Sequence, residues 1–256
     1  MAGSVATRYA GNLAAGRIER DDAQLAVVKK LSQLEARISE HRPARNSSPL
    51  GWLFASREQA QPPIKGLYIY GDVGRGKTML MDLFFESSPV RRKRRAHFHE
   101  FMLDVHERIY LIRQKMKFGE HADEDPIRMV ADELAAEAWL LCFDEFHVTD
   151  IADAMILGRL FAQLFERGIV VVATANVPPD ELYKDGLNRA LFLPFIAMLN
   201  ARMDVVRLAA RTDFRLEKLA GQPVWYVPAM RKPMRRSTKP GGGSAAASLA
   251  ARRKYR

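Results

Sequence analysis

Eight consecutive residues carry the first chemistry in this chain. Gly71, Asp72, Val73, Gly74, Arg75, Gly76, Lys77 and Thr78 satisfy the pattern G-x-x-x-x-G-K-[ST] without a mismatch. Glycines at these places let successive backbone N–H groups turn inward around phosphate oxygens, and a following helix N-terminus adds a favourable dipole. Lys77 would reach the β- and γ-phosphates of ATP, and Thr78 would place its hydroxyl on Mg²⁺. A second constellation lies downstream, where the apolar run Trp139-Leu140-Leu141-Cys142-Phe143 ends in Asp144-Glu145. A strand that delivers two carboxylates at its end suits Mg²⁺–nucleotide chemistry: Asp144 to hold the metal, Glu145 to orient and deprotonate the attacking water. A third run, Ile169 to Thr174, ends at Ala175-Asn176. The Asn176 amide can bond the γ-phosphate or the water, although asparagine after a strand is also an ordinary turn residue.

These residues need elements to hold them. Gly66 to Tyr70 is short, apolar and aromatic, as a buried strand is, and Met79 to Phe85 opens a helix, so the loop has the strand-loop-helix context its chemistry requires. Further patterning predicts strands over 67–70, 95–98, 139–143, 169–174 and 204–208. Helices are predicted over 21–40, 78–86, 100–117, 126–137 and 151–167, with Val27, Leu31, Leu34 and Ile38 marking the apolar side of the first. Alternation of this kind implies an α/β fold with a parallel sheet covered on both faces and the ligand at the strands' C-terminal edge. The division expected is an N-terminal helix and proline-rich connector over 1–63, a P-loop core over 64–228 and a tail over 229–256. Val224 to Val227 is a candidate for one more short strand.

Composition bounds the remaining readings. The chain has 256 residues, of which 48% are hydrophobic, and one cysteine, Cys142, so no disulfide framework exists and a reducing compartment is expected. No apolar run reaches the ~18 residues of a spanning helix, and no signal-peptide core is present, so the expected location is cytoplasmic. The formal net charge is +10, but residues 230–256 carry nine Lys and Arg and no acid. The body is close to neutral, which argues against a nucleic-acid footprint. The run Arg91-Arg92-Lys93-Arg94-Arg95 is expected to be a solvated stretch at a sheet edge. His97 and His99 are expected to alternate along a strand rather than to bind metal, and Phe101 and Met102 either pack in the core or, by analogy alone with other P-loop proteins, grip polypeptide in a pore.

Several strings together resemble one family, the ZapE group of AAA+-type ATPases, which includes bacterial cell-division proteins and mitochondrial proteins of inner-membrane quality control. They are GLYIYGDVGRGKTMLMDLFF, HFHEFMLDVHERI, LLCFDEFHVTDIADAMILGRLF and ATANVPPDELYKDGLNRALFLPFI, together with Asp22-x-Gln24 in the first predicted helix. The resemblance spans about residues 8 to 228. It implies an AAA+-type five-stranded parallel sheet, Asn176 as a sensor of the γ-phosphate, and Arg189 as an arginine finger. It also implies a homo-oligomeric ring, protein partners of division or inner-membrane quality control, and peripheral contact with a membrane. The family usually has glycine at the place of Asp72, whose side chain is expected to face outward.

After Pro228 the family pattern gives way to a basic, glycine- and alanine-rich stretch expected to be disordered. With permitted codons, residues 229–241 read one nucleotide earlier encode DAKADAAVDEAWR, the kind of helix that opens the family's C-terminal lid. The expectation is therefore a frameshifted tail with the lid domain absent, weaker contacts to adenine and slower or no turnover. Two rivals stand beside the remodelling ATPase: a nucleic-acid-associated P-loop ATPase of helicase-loader type, and an ATP-binding fragment with impaired hydrolysis.

Overall fold

A computed structural model describes residues 3–41, 63–118 and 123–209. The connector 42–62, the candidate strand at Val224 to Val227 and the tail 229–256 lie outside the described residues, as does the boundary expected at 228. The chain opens with α1 (Val5–Ala14) and α2 (Asp22–Glu40). Asp21 starts α2 by accepting bonds from the Ala23 and Gln24 N–H groups, which relieves two of the unpaired donors of a helix N-terminus. Val27, Leu31, Leu34 and Ile38 are buried along one side of it.

Then follow β1 (Gly66–Tyr70), α3 (Lys77–Ser87), β2 (Lys93–His97), α4 (Phe98–Lys117), α5 (Pro126–Glu137), β3 (Leu140–Asp144) and α6 (Ile151–Glu166). The described part closes with β4 (Val170–Ala175), two short 3₁₀ turns at Pro179–Glu181 and Arg189–Leu191, α7 (Leu193–Arg202) and β5 (Met203–Arg207).

The five strands form one all-parallel sheet in the order β2-β3-β4-β1-β5. Such a sheet needs cover on both faces, and the two-residue period of each strand divides its side chains between them. Tyr68, Leu141, Phe143, Val171 and Ala173 join a core built with α4, α5, α6 and α7. Leu67, Ile69, Leu140, Cys142, Val170 and Val172 join a second core with α1, α2 and α3. The helices ahead of the connector thus share a core with the sheet.

The expected parallel α/β architecture is present, with local corrections. Strand β2 starts at Lys93, two residues earlier than the pattern predicts, because its basic side chains find partners at the sheet edge. Helix α4 begins at Phe98, so His97 ends a strand while His99 lies in the first helical turn, and strand alternation does not relate them. Phe101 and Met102 are 0% and 2% exposed within α4, which makes them core rather than a gripping surface. Helices α1 and α7 were not anticipated.

Candidate nucleotide-binding site

The phosphate loop leaves the C-terminal end of β1 and enters α3 at Lys77. Two glycines are required by its geometry. A Cβ on Gly71 would stand 2.3 Å from the Leu208 carbonyl oxygen, since the chain here is pressed against the residue that follows β5. Gly76 caps α3 in the left-handed region at φ 84°, where a side chain is strained. Asp72, Val73 and Gly74 are exposed, Asp72 facing outward as expected, while Arg75, Gly76 and Lys77 are half-buried.

Lys77 folds back over the loop. Its Nζ donates to the carbonyl oxygens of Gly71 at 2.7 Å and Asp72 at 2.8 Å. Burial lowers the Lys77 pKa, opposed by the negative charges of Asp72 and Glu145. The lysine and the downstream glutamate, 68 positions apart in sequence, therefore act on one another electrostatically.

Helices α1 and α2 brace the loop from behind. Tyr9 Oη and Gln24 Oε1 lie 3.0 Å apart, and Gln24 Nε2 donates to the Arg75 carbonyl at 3.0 Å. The Arg75 guanidinium reaches Asp21 at 3.0 Å and the Ala209 carbonyl at 2.8 Å. Between brace and loop opens a cleft of 360 Å³ lined by Ile18, Glu19, Gln24, Gly74 and Met79, among others.

Asp144 closes β3 and is 3% exposed. Its Oδ2 takes both Nε (2.8 Å) and Nη2 (2.7 Å) of Arg95, and its Oδ1 accepts from Thr174 Oγ1 at 3.3 Å. Glu145 then turns into the left-handed region at φ 54°, a cost that L-residues bear only where surroundings enforce it. Two things enforce it here. The Glu145 N–H donates to Thr174 Oγ1 at 3.3 Å and the Phe146 N–H to the Thr174 carbonyl at 2.7 Å. The Phe146 ring is buried among Phe98, Phe143, Phe161 and Phe195. With Phe146 anchored inward, Glu145 is left exposed at the rim of a 410 Å³ cleft that also holds His97, His99, Glu100 and His147.

Strand β4 lies between β1 and β3, so Asn176, exposed just beyond its end, sits between the phosphate loop and the Asp144-Glu145 pair. Arg189 stands apart. It opens the second 3₁₀ turn, its Nη2 donates to the Asp180 carbonyl at 2.5 Å, and among the described residues no bond joins it to the loop, Asp144 or Glu145.

Thr78 and Asp144 offer oxygen only, the donor type a hard divalent cation takes. Among the described residues no cluster of three or more His, Cys, Asp or Glu is arranged for a metal.

The basic run lies at the sheet edge as expected, but its second half opens β2 and is bonded within the fold. Arg92 donates to the Ala136 carbonyl at 3.1 Å, Lys93 to the Ser88 carbonyl at 2.9 Å, Arg94 pairs with Asp104 at 2.6 Å, and Arg95 grips Asp144 and Asp82. Lys93, Arg94 and Arg95 are half-buried and bonded to neighbouring elements, while Arg91 and Arg92 are exposed. Sequence reasoning missed Arg95, Thr174 and Phe146 as parts of the site, and nothing in the pattern marks them, since each acts through a partner remote in sequence.

A family model, AFG1-like ATPase, matches residues 4–240, past the Pro228 at which the resemblance read from the sequence ends. The chain belongs to the AFG1-like ATPase family. An AFG1-like ATPase is a nucleotide-binding P-loop protein, and the strand order and loop geometry above are those of its AAA+-type fold. The chain is 44% identical over 228 residues to the cell division protein ZapE of Escherichia coli (strain K12), a match covering 87% of this chain and 59% of that protein. It is 54% identical over 176 residues to lactation elevated protein 1 homolog B of Danio rerio, covering 66% of this chain and 35% of that one. It thus spans well under two thirds of either relative. Among solved structures, DnaI aligns with a TM-score of 0.47 and 13% identity, over 75% of this chain and 88% of that one.

Proposed function

We propose that this AFG1-like ATPase binds ATP with Mg²⁺ at the loop and hydrolyses it, using turnover to remodel protein partners in cell division or membrane-protein quality control. The observation that carries the reading is the meeting of Lys77, Asp144, Glu145 and Asn176 at one edge of the sheet, where β4 sets the spacing between the loop on β1 and the carboxylates on β3. In this reading Lys77 exchanges its two loop carbonyls for phosphate oxygens. Thr78 and Asp144 would hold Mg²⁺, which would offset the negative charge of the phosphates. Glu145, exposed and turned away from the core, accepts a proton from the water that attacks the γ-phosphorus. Asn176 bonds the γ-phosphate, and a neighbour's Arg189 adds positive charge as the transition state forms.

The assembly that this requires is a homo-oligomeric ring, and the place of action is the cytoplasm or the membrane surface facing it. Among the described residues no helix is long and apolar enough to cross a membrane. A nucleic-acid role finds less support, because Arg94 and Arg95 pair with acidic side chains within the fold. The reading is tested by Lys77→Ala in a fluorescent-ATP titration with circular dichroism alongside. The expected result is loss of binding with an intact spectrum, since the half-buried lysine bonds only loop carbonyls. Unchanged affinity would remove Lys77 from the site.

A further inference from the structure

We infer that Arg95 is a positioning residue for the metal site, holding Asp144 in the orientation that Mg²⁺ requires and tying it to α3. The inference rests on the nucleotide reading above and goes beyond it, since the family's site motifs do not include Arg95.

Arg95 lies on β2, opposite Cys142 of β3 in the parallel register, and so stands beside the end of the strand that carries Asp144. Its guanidinium meets Asp144 Oδ2 through two nitrogens, at 2.8 and 2.7 Å, while its third nitrogen, Nη1, contacts Asp82. Asp82 is four residues after Thr78 on α3, so the two share one helix face. The chain Asp82–Arg95–Asp144 therefore ties the strand end that carries Asp144 to α3, one helical turn beyond Thr78.

The guanidinium fork sets two charge-assisted N–H bonds on Oδ2, where an ammonium would set one, while the Thr174 hydroxyl holds Oδ1, so contacts to both oxygens orient the carboxylate. The positive charge stands between two carboxylates, so it balances charge already in the protein instead of opposing an incoming cation. Partners that orient a metal ligand in this manner are worth a large share of metal affinity.

The experiment uses the full chain and a fluorescent ATP analogue, with binding titrated across Mg²⁺ concentrations and again in EDTA. Arg95→Gln should raise the half-saturating Mg²⁺ by roughly 10–100-fold while leaving binding in EDTA within about twofold of the parent. Arg95→Lys should recover part of that shift, because it restores charge without the fork. Asp82→Asn should give a smaller shift in the same direction, since Asp144 keeps its fork and loses only the tie to α3. Circular dichroism monitors folding, and if Arg95→Gln fails to fold, the Lys and Asp82→Asn variants carry the test. Parental Mg²⁺ midpoints in both would overturn the inference, as would a lowered midpoint, which would make Arg95 a competitor of the metal. A parent that binds no analogue, or binds it without regard to Mg²⁺, would overturn the nucleotide reading itself and this inference with it.

Discussion

At the scale of single residues the site depends on one hydroxyl that no motif marks. Thr174 Oγ1 donates to Asp144 Oδ1 and accepts from the Glu145 N–H, so it holds the Asp144 carboxylate and the Glu145 backbone at once. Thr174→Val keeps the shape but leaves both groups short of a partner, and should destabilise the fold by about 1–3 kcal/mol in urea unfolding. Thr174→Ser should restore most of that loss, and equal stability of the Val variant would reduce Thr174 to a packing residue. Cys142 sits two residues before Asp144 and plays no such part. Burial pushes its thiol far above the ordinary range, with smaller contributions from nearby charges, so it stays protonated and inert. Maleimide should label it only after unfolding.

At the scale of elements, the strength of the site lies in how helices pin its loops. Asp21 both caps α2 and pairs with Arg75 at 3.0 Å, with side chains only 6% and 16% exposed. Asp21→Ala should therefore cost more than the ~1 kcal/mol typical of a lost cap, and should weaken ATP binding, because the loop loses a brace. A change confined to stability would detach the N-terminal helices from nucleotide binding. Acid sensitivity belongs to this scale too. Burial tends to raise the Asp104 pKa, but Arg108 and Arg94 outweigh it and hold the carboxyl below its ordinary value. A carboxyl depressed on folding stabilises the fold above its unfolded value of ~3.9 and loses that contribution as pH falls through the folded one. Urea midpoints should thus drop between about pH 4 and lower values, and Asp104→Asn should flatten the drop.

The elements also show what the sequence could reveal. Strands β1, β3 and β4 were legible because full burial writes them as apolar runs with turn signals at each end. Strand β2 was legible only in its second half, since Lys93 and Arg94 look solvated until their partners on other elements are known: carbonyls for Lys93 and Asp104 for Arg94. The phosphate loop and Asp144-Glu145 were legible because their spacing is local. The Arg95–Asp144 pair, 49 positions apart, left no local trace, and neither did the brace from Tyr9 and Gln24.

At the scale of the molecule, Arg189 makes no bond to the loop among the described residues and is flanked in sequence by the exposed Leu187, Leu191 and Leu193. In the proposed ring Arg189 would reach a neighbouring copy's site, where a finger is worth ~10³–10⁵ in rate in comparable systems. Specific activity should then rise with protein concentration, and Arg189→Ala should flatten the rise with ATP affinity nearly intact, because the finger meets charge that develops in the transition state. Mixing Arg189→Ala with Glu145→Gln subunits should recover activity at interfaces that pair a working residue from each; no rescue in assembled rings would leave Arg189 a surface arginine. The central claim, hydrolysis with Glu145 as the base, meets its most direct test in phosphate release from ATP at saturating Mg²⁺, measured for the parent and for Glu145→Gln. The account predicts turnover by the parent and a loss of about 10²–10⁴-fold in the variant, with ATP still bound. Release by Glu145→Gln within a few-fold of the parent would contradict it.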